Sequence, residues 1–382
     1  MQFPKSIDLR LVASVDRAKK GSQFMLIERK IDFNYNYWFK CEKCRKRNCL
    51  LAAEYHNQTT TDSPKCKYCQ NDLNANRSDI RLRDEDDPAL TDSQVLDSIW
   101  YHTSTESEWP KSEYSLPPEE GAHIRERAFK NEPEKTSKYI DFHENQALHI
   151  GTYEAALESM LRRMREKDDR DKEFFLYRVK LRKEINIAPE LLHDHRDKVG
   201  QVLVETLRDG GYQVSRYINV HESPGSISLA LMREAIESTQ RISIRALESM
   251  VEVDDSILQC VLDERHKAQE FSPSRKSASA LLDEMLWRRS ARDGNQFAEI
   301  PSVVHVQLIK MAKELATVYL QDVSITVSEN FLSALGTPDA AGDKKSYECW
   351  LIRYVNLAKL FTNPERTLES FSSEQWKSVL PQ

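Results

Sequence analysis

Four cysteines in two identical pairs constrain this chain more than any other feature. The pairs are Cys41-Glu-Lys-Cys44 and Cys66-Lys-Tyr-Cys69, and 21 residues separate them. Two residues between cysteines let both sulfurs point at one metal ion from a tight turn, and two such turns supply the four thiolates of a closed tetrahedral zinc site. All four ligand positions are then filled by protein, so no water is left to activate. The sequence therefore predicts structural zinc in a ribbon at about residues 33–73, with any chemistry elsewhere.

The composition excludes several classes of protein. A length of 382 residues allows two or three domains, and a net charge of −6 argues against a globally basic nucleic-acid coat. No apolar run approaches the roughly 18 residues of a spanning helix, and the N-terminus lacks the apolar core of a signal peptide. Paired CxxC motifs without a secretory signal favour metal binding in a reducing compartment over disulfides. We therefore expect a cytoplasmic protein with no membrane partner.

The order of strand and helix patterns predicts an α+β protein in four parts. An N-terminal region, residues 1–76, contains the zinc ribbon, and an acidic run that ends at a proline predicts a linker at 77–97. Residues 98–232 alternate strand-like runs with amphipathic helices, which is typical of a mixed α+β domain. Strand signals then fade, so we expect a helical C-terminal region at 233–382, which could bind a partner protein.

Polar side chains form three clusters at the ends of predicted strands in the central domain. Strands hold side chains in fixed positions, so polar groups at their ends are suited to form a ligand-binding or catalytic site. Gly151 would let a ligand approach the backbone closely, and the helix after Thr152 would offer free N–H groups to an anion. The clusters are His102, Thr103 and Ser104; His149, Gly151 and Thr152; and Tyr217, Asn219 and Glu222.

The order of these segments resembles the ADP-ribosyltransferase fold over about residues 98–232. Tyr101-His-Thr-Ser precedes Leu148-His-Ile-Gly-Thr-x-x-Ala-Ala, then an alternating strand, then a tyrosine strand with a glutamate. The second segment departs from the family, in which many members carry Gly-x-Tyr-Phe. Arg216 stands where some members hold glutamate, so Glu222 is the substitute candidate.

The resemblance implies transfer of ADP-ribose from NAD to a nucleic acid or a protein, as a toxin or defence effector would perform it. It implies that Glu222 stabilises an oxocarbenium-like charge and helps deprotonate the acceptor. It also implies that Tyr153 stacks on the nicotinamide. The catalytic candidates are Glu222, His102 and Tyr217. The candidates for binding NAD are His102, Thr103, Ser104, His149, Gly151, Thr152, Tyr153 and Asn219.

Simpler interpretations and other functions stay open at this point. The two histidines could be core or capping residues, Ser104 and Thr152 could be plain caps, and Glu222 could be a solvated turn residue. One alternative function is a non-enzymatic zinc-ribbon regulator that binds nucleic acid. Another is an NAD glycohydrolase, which shares the site but uses water as the acceptor.

The ribbon is basic although the chain is acidic. Residues 38–69 contain seven Lys or Arg and three Asp or Glu, a local net charge of +4. Basic side chains beside an aromatic such as Tyr68 suit a nucleic-acid strand, through phosphate contacts and base stacking. Alternatively, the ribbon only stabilises the fold, or it forms a surface that binds another protein. The candidate nucleic-acid residues are Lys43, Arg45, Lys46 and Arg47.

Overall fold

The computed structural model describes residues 26–57, 63–111, 133–167, 169–194, 202–270, 303–339 and 342–379. These residues form a mixed α+β fold, as predicted. The strands are β1 (Tyr37–Lys40), β2 (Arg47–Leu50), β3 (Trp100–Ser104), β4 (Leu148–Ile150), β5 (Phe175–Leu181), β6 (Ile187–His193), β7 (Val214–Ile218), β8 (Ile227–Leu231), β9 (Ile236–Ser243) and β10 (Lys377–Ser378). The helices are α1 (Ala52–His56), α2 (Asp92–Asp97), α3 (Pro133–Glu144), α4 (Tyr153–Glu166), α5 (Val204–Asp209), α6 (Asp255–Glu270), α7 (Val303–Tyr319), α8 (Ile325–Leu335), α9 (Lys344–Thr362) and α10 (Pro364–Ser370).

Two four-stranded sheets form the centre of the fold. The first has the order β10-β9-β5-β3 and is antiparallel throughout. The second has the order β4-β8-β7-β6, in which β6 and β7 run parallel. The sheets meet where Tyr101 of β3 and Gly151, just after β4, exchange backbone hydrogen bonds of 2.9 and 3.0 Å. This seam brings the ends of β3, β4 and β7 toward one another.

Gly151 is required at this seam by the close approach of its neighbours. A Cβ at this position would lie 2.8 Å from the side chains of both Ala155 and Ser228. Any larger residue would therefore push α4 away from β8 and open the junction of the sheets.

Helix α4 covers the seam with the amphipathic pattern that the sequence predicts. Its apolar side chains are buried, and Thr152 caps its first turn by accepting a hydrogen bond of 3.2 Å from the Ala155 N–H. The charged residues of its first half do not lie in solvent, because Glu154 and Glu158 are buried as well, whereas Arg162, Arg165 and Glu166 in its second half are exposed. The buried apolar residues of α4 include Leu157, Met160, Leu161 and Met164.

The helical C-terminal region predicted at 233–382 also contains two strands, β9 and β10. β9 pairs with β5 along its length and therefore belongs to the first sheet. Its buried positions include Ser238, Thr239 and Gln240, so the alternation of apolar residues that marks a half-buried strand is weak.

One hydrophobic core crosses the boundaries predicted at residues 76 and 232. The Phe33 and Phe361 rings lie 4.7 Å apart, and the Ser324 N–H donates to the Phe33 carbonyl. The C-terminal helices therefore pack directly on the chain that leads into the ribbon. Across the described ranges, every helix is too short or too polar to span a bilayer.

Residues 77–97, interpreted from the sequence as a linker, pack against both the ribbon and the second sheet. Ile80 and Val95 are fully buried. The Arg81 N–H donates to the Trp38 carbonyl of β1, and the Arg83 N–H donates to the Gly225 carbonyl at 2.7 Å. This segment holds the ribbon against the turn between β7 and β8.

Candidate functional site

The four paired cysteines converge on one point and can hold a metal ion such as zinc. All four sulfurs lie within 4.8 Å of one another. The Cys41 and Cys69 sulfurs are 3.6 Å apart, and those of Cys44 and Cys66 are 3.5 Å apart. A tetrahedral site with zinc–sulfur bonds of about 2.3 Å requires sulfur separations of about 3.8 Å, so the cluster fits a zinc ion.

The two cysteine turns have the same backbone geometry, which explains how they converge. The N–H four residues after the first cysteine of each pair bonds back to that cysteine's carbonyl, from Arg45 to Cys41 and from Gln70 to Cys66. Arg45 and Gln70 have φ values of 62° and 58°, so each turn ends in the left-handed region.

Of the four candidate nucleic-acid residues of the ribbon, three are exposed and one bonds to other parts of the chain. Lys43, Arg45 and Lys46 are exposed, and the Lys46 ammonium lies 4.6 Å from the centre of the exposed Tyr68 ring. Arg47 instead donates to the carbonyls of residues 82 and 83 at 2.7 and 2.6 Å and lies over the Trp38 ring. Arg47 therefore anchors the ribbon to the segment that follows it, and the exposed cations are the three that remain.

A cavity of about 570 Å³ lies at the seam of the two sheets and gathers residues from all three polar clusters. Of the predicted site residues, those that line it are His102, Thr103, His149, Gly151, Tyr217, Asn219 and Glu222. Lining residues that the sequence analysis missed include Arg77, Ser159, Arg162, Asp194, His221 and Ser228. The cavity thus joins groups that are far apart in the sequence, such as His102 and Glu222, which are 120 residues apart.

The remaining three predicted residues have structural roles outside the cavity lining. Ser104 is buried, and its hydroxyl accepts a hydrogen bond of 3.0 Å from the Glu106 N–H. Thr152 is the cap of α4. Tyr153 is buried in the core, where its hydroxyl donates to the Leu360 carbonyl at 3.0 Å and its ring packs edge-on against Tyr101. The ring of Tyr153 therefore does not face the cavity.

His102 is fixed as a neutral hydrogen-bond acceptor. Its Nδ1 lies 2.9 Å from the His149 carbonyl, to which it must donate, and its ring stacks on Trp109 at 4.1 Å. Burial lowers the pKa of His102 to about 3. The proton of the neutral ring is therefore on Nδ1, and Nε2 offers a lone pair.

His149 differs from His102 because its Nδ1 faces a hydroxyl group that can donate to it. The Tyr217 hydroxyl lies 3.2 Å from His149 Nδ1, and burial raises the pKa of Tyr217, which keeps it a donor. Burial lowers the pKa of His149 to about 4, so the ring is neutral. When the Tyr217 hydroxyl donates to Nδ1, the ring proton is on Nε2. That Nε2 is buried and has no hydrogen-bond partner within the described part of the chain. A ligand acceptor in the cavity can supply the missing bond.

Glu222 lies on the turn between β7 and β8, and hydrogen bonds to the Asn219 side chain fix this turn. The Asn219 side-chain oxygen accepts the N–H groups of both His221 and Glu222, at 3.0 and 2.9 Å. The Asn219 amide nitrogen in turn donates to the Ser228 hydroxyl at 3.1 Å. Asn219 therefore lines the cavity and also fixes the backbone that carries Glu222.

Two residues of this turn have positive φ. Ser223 has a φ of 46° and is fully buried, and Gly225 has a φ of 85°. A Cβ at Gly225 would lie 2.8 Å from the Arg81 carbonyl, so only glycine fits beside the segment from the ribbon.

The cavity pairs the carboxylate of Glu222 with a cation from α4. Arg162 Nε lies 2.6 Å from Glu222 Oε1, and the Glu222 side chain is only 11% exposed. The carboxylate raises the pKa of Arg162 against the effect of burial, which alone would lower it. Arg162 could have been suspected from its spacing, because Glu154, Glu158 and Arg162 recur every four residues on one helix face.

Comparison with protein families, curated proteins and solved structures gives no match to this chain. Any functional conclusion therefore depends on the cavity and the cysteine cluster themselves.

Proposed function

We propose that the chain is an NAD-dependent ADP-ribosyltransferase whose active site is the cavity at the seam of the sheets. The observation that carries this proposal is the meeting of His102, His149 and Glu222 in one cavity of about 570 Å³. The sequence resemblance assigns His102 and His149 to NAD binding and Glu222 to catalysis. A cavity of this size is also within the range of ligand sites.

The two neutral histidines suit the binding of NAD in complementary ways. His102 Nε2 can accept a hydrogen bond from a ribose hydroxyl, and His149 Nε2–H can donate one to a hydroxyl or to the nicotinamide amide oxygen. Neither ring can serve as a general acid near neutral pH, because both pKa values are far below 7. Their role in the proposal is therefore orientation of the substrate.

Glu222 supplies the charge that the reaction requires. The bond between ribose C1′ and nicotinamide breaks, and its electron pair leaves with nicotinamide. Positive charge develops on the ribose, where a carboxylate stabilises it, and the acceptor nucleophile bonds to C1′ as its proton passes to Glu222. Arg162 orients the carboxylate through the ion pair of 2.6 Å before NAD binds and is itself a partner for the NAD diphosphate.

The exposed cations of the ribbon favour a nucleic-acid acceptor. Lys43, Arg45 and Lys46 are exposed, and the Lys46 ammonium lies over the exposed ring of Tyr68, which combines phosphate contacts with a surface for base stacking. In this proposal the cysteine cluster binds zinc as a structural ion. A partner protein that binds the C-terminal helices stays a prediction.

The test is incubation of the purified chain with labelled NAD and with RNA, DNA or cell-extract protein. We expect both release of nicotinamide and transfer of the label. His102→Ala and Glu222→Gln should each reduce both signals by at least about 100-fold, since they remove groups that contact the reacting part of NAD. His56→Ala and Glu205→Gln are matched controls at exposed positions and should have no effect.

The outcomes separate the proposed function from its alternatives. Release of nicotinamide without label transfer would replace transfer with NAD hydrolysis. No consumption of NAD under any condition would overturn the proposal, and binding of nucleic acid in the same samples would then favour the non-enzymatic regulator.

A further inference from the structure

A second cavity, of about 540 Å³, lies between α4, the end of β9 and α9. Ser159, Arg162 and Glu166 of α4 line the cavity at the seam, whereas Met160 and Met164 line the second cavity. Because an α-helix has 3.6 residues per turn, these two sets of residues lie on different faces of α4. The second cavity is therefore separate from the site of the proposed reaction.

The inner wall of the second cavity is apolar. Met160, Met164, Phe174 and Leu357 line it, and all four are buried. Methionine side chains are flexible and polarisable and make favourable contacts with aromatic rings, so two of them suit an aromatic ligand. The volume of the cavity is also within the range of ligand sites. The inner wall thus favours a small molecule with an aromatic body.

Trp350 of α9 brings an unused hydrogen-bond donor to this cavity. It lines the cavity, and its indole N–H is buried and has no acceptor within the described part of the chain. A buried donor without an acceptor is unfavourable, so an oxygen atom of a ligand would stabilise it. Arg353, which also lines the cavity, follows three residues later and projects from the same face of α9.

Arg353 has only a weak partner in the protein. Its Nη1 lies 3.4 Å from Asp171 Oδ1, and the Asp171 side chain is 97% exposed, so water competes for that carboxylate. The Arg353 side chain is only 22% exposed, and burial lowers the pKa of its guanidinium although the charges of Asp171 and Glu248 oppose this. A ligand carboxylate inside the cavity would bond the guanidinium more strongly, because both of its oxygens can accept hydrogen bonds.

The charges around the cavity favour a ligand with a single negative charge. Four Lys or Arg and four Asp or Glu line it, so the lining has no net charge. A polyanion would meet as much repulsion as attraction there, whereas one carboxylate can accept hydrogen bonds from Trp350 and Arg353 alone.

We propose that the second cavity binds a small aromatic carboxylate, whose ring packs against Met160 and Met164 and whose carboxylate accepts hydrogen bonds from Trp350 Nε1 and Arg353. This site goes beyond the proposed function and does not depend on it. An absence of NAD turnover would contradict the proposed function and leave this proposal unchanged.

The experiment titrates the full chain with 2-naphthoate in a calorimeter. We expect one molecule to bind per chain with a Kd below about 1 mM, and the uncharged 2-naphthamide to bind at least about tenfold more weakly. Trp350→Phe keeps the ring but removes most of its donor, and should raise the Kd at least about threefold. Arg353→Met removes the cation and should raise the Kd at least about tenfold.

Two variants outside the second cavity are matched controls. Arg162→Met removes a cation from the cavity at the seam, and Trp376→Phe changes a tryptophan that lines neither cavity. Both should leave the Kd for 2-naphthoate unchanged. A Kd raised as much by Arg162→Met as by Arg353→Met would place the ligand at the seam and overturn the proposal.

Cys349 reports on the occupied cavity in the unmodified chain, because its exposed thiol lines the cavity. Saturating 2-naphthoate should slow the alkylation of Cys349 by iodoacetamide at least about fivefold, since the bound ligand covers the thiol. The modified peptide is quantified by mass spectrometry. An unchanged rate of alkylation, or no saturable binding of 2-naphthoate up to about 10 mM, would overturn the proposal.

Discussion

Arg162 and Glu222 form an ion pair of 2.6 Å between α4 and the turn after β7, and its two ends differ in exposure. The Arg162 side chain is 44% exposed, whereas that of Glu222 is 11% exposed. The carboxylate is therefore the end that depends on the pair, because it has little water to replace a lost partner. This asymmetry gives the first prediction.

Arg162→Met should lower nicotinamide release by at least about tenfold, since Glu222 would lose the cation that orients it. Arg162→Lys should retain part of the activity, because it keeps the charge but not the Nε–H geometry. The measurement is steady-state release of nicotinamide. Arg165→Met is the control on the same helix, where the arginine bonds Asn330 and Glu166 instead; an equal loss there would contradict the prediction.

The two cavity histidines should make the fold less stable in mild acid. Their folded pKa values are about 3 and about 4, against 6.5 for an ordinary histidine. Below pH 6.5 the unfolded chain binds protons that the folded chain does not, so the free energy of unfolding falls as the pH falls from 6.5 toward 4. Each ring contributes at most about 1.4 kcal/mol per pH unit.

Denaturant unfolding between pH 5 and pH 6.5 measures this slope. His102→Gln and His149→Gln should each flatten it, because glutamine does not titrate. His56→Gln, at an exposed position, should leave the slope unchanged. A slope that is the same in all four proteins would show that the two rings are not held neutral by the fold.

Glu158 predicts a change of the opposite sign at higher pH. Its folded pKa is about 8 against an ordinary value of 4.5, so between these values the folded chain holds a proton that the unfolded chain has lost. The free energy of unfolding therefore falls as the pH rises toward 8, by at most about 1.4 kcal/mol per unit. Above pH 6.5 the cavity histidines no longer oppose this trend.

Unfolding experiments between pH 6.5 and pH 8 isolate this contribution. The decrease in stability should be smaller in Glu158→Gln than in the unmodified chain. A decrease in Glu158→Gln equal to that of the unmodified chain would contradict the assignment to Glu158.

Local patterns were enough to locate much of the candidate site. The CxxC spacing predicted the cysteine cluster, and the polar ends of strands predicted His102, His149 and Glu222, because both are properties of a few adjacent residues. The resemblance to the ADP-ribosyltransferase fold, by contrast, predicts Tyr153 at the site. Its ring lies in the core because it packs on aromatic residues that are distant in the sequence, among them Phe33.

The parts that were missed depend on contacts that no local pattern carries. Glu158 and Arg162 look like the solvated face of an amphipathic helix until the turn of Glu222 folds over them. The strand β9 was read as part of a helical region because its buried Ser238 and Gln240 break the apolar alternation. Arg47 was grouped with the other ribbon cations, although its partners come from the segment after the ribbon.

Removal of the metal should destabilise the whole chain rather than the ribbon alone, because Tyr37 and Phe39 beside the cluster belong to the same core as the C-terminal helices. We expect one zinc ion per chain. Cys66→Ser should lower the thermal midpoint by about 5 °C or more, since the binding free energy of a structural zinc contributes to folding. Metal analysis and thermal unfolding measure both effects.

Cys349→Ser is the matched control for this prediction. Cys349 is exposed and lies outside the cluster, so its replacement should change neither the zinc content nor the thermal midpoint. A chain that contains no metal, or a Cys66→Ser variant as stable as the control, would contradict a structural zinc site.

The exposed cations of the ribbon should govern the affinity for nucleic acid without affecting the fold. The variant combines Lys43→Gln, Arg45→Asn and Lys46→Gln, in which asparagine is chosen because it tolerates the positive φ of Arg45. Removing three phosphate contacts should weaken binding to single-stranded RNA and reduce the slope of log affinity against log salt by about 2.

Arg47→Met separates this role from the anchoring of the ribbon. Because Arg47 bonds the backbone of residues 82 and 83, its replacement should lower the thermal midpoint and leave the salt slope of RNA binding unchanged. Fluorescence anisotropy at several salt concentrations measures the slope, and thermal unfolding measures the stability. If the triple variant binds RNA with an unchanged slope, the ribbon is structural only, and the acceptor in the proposed reaction is better sought among proteins.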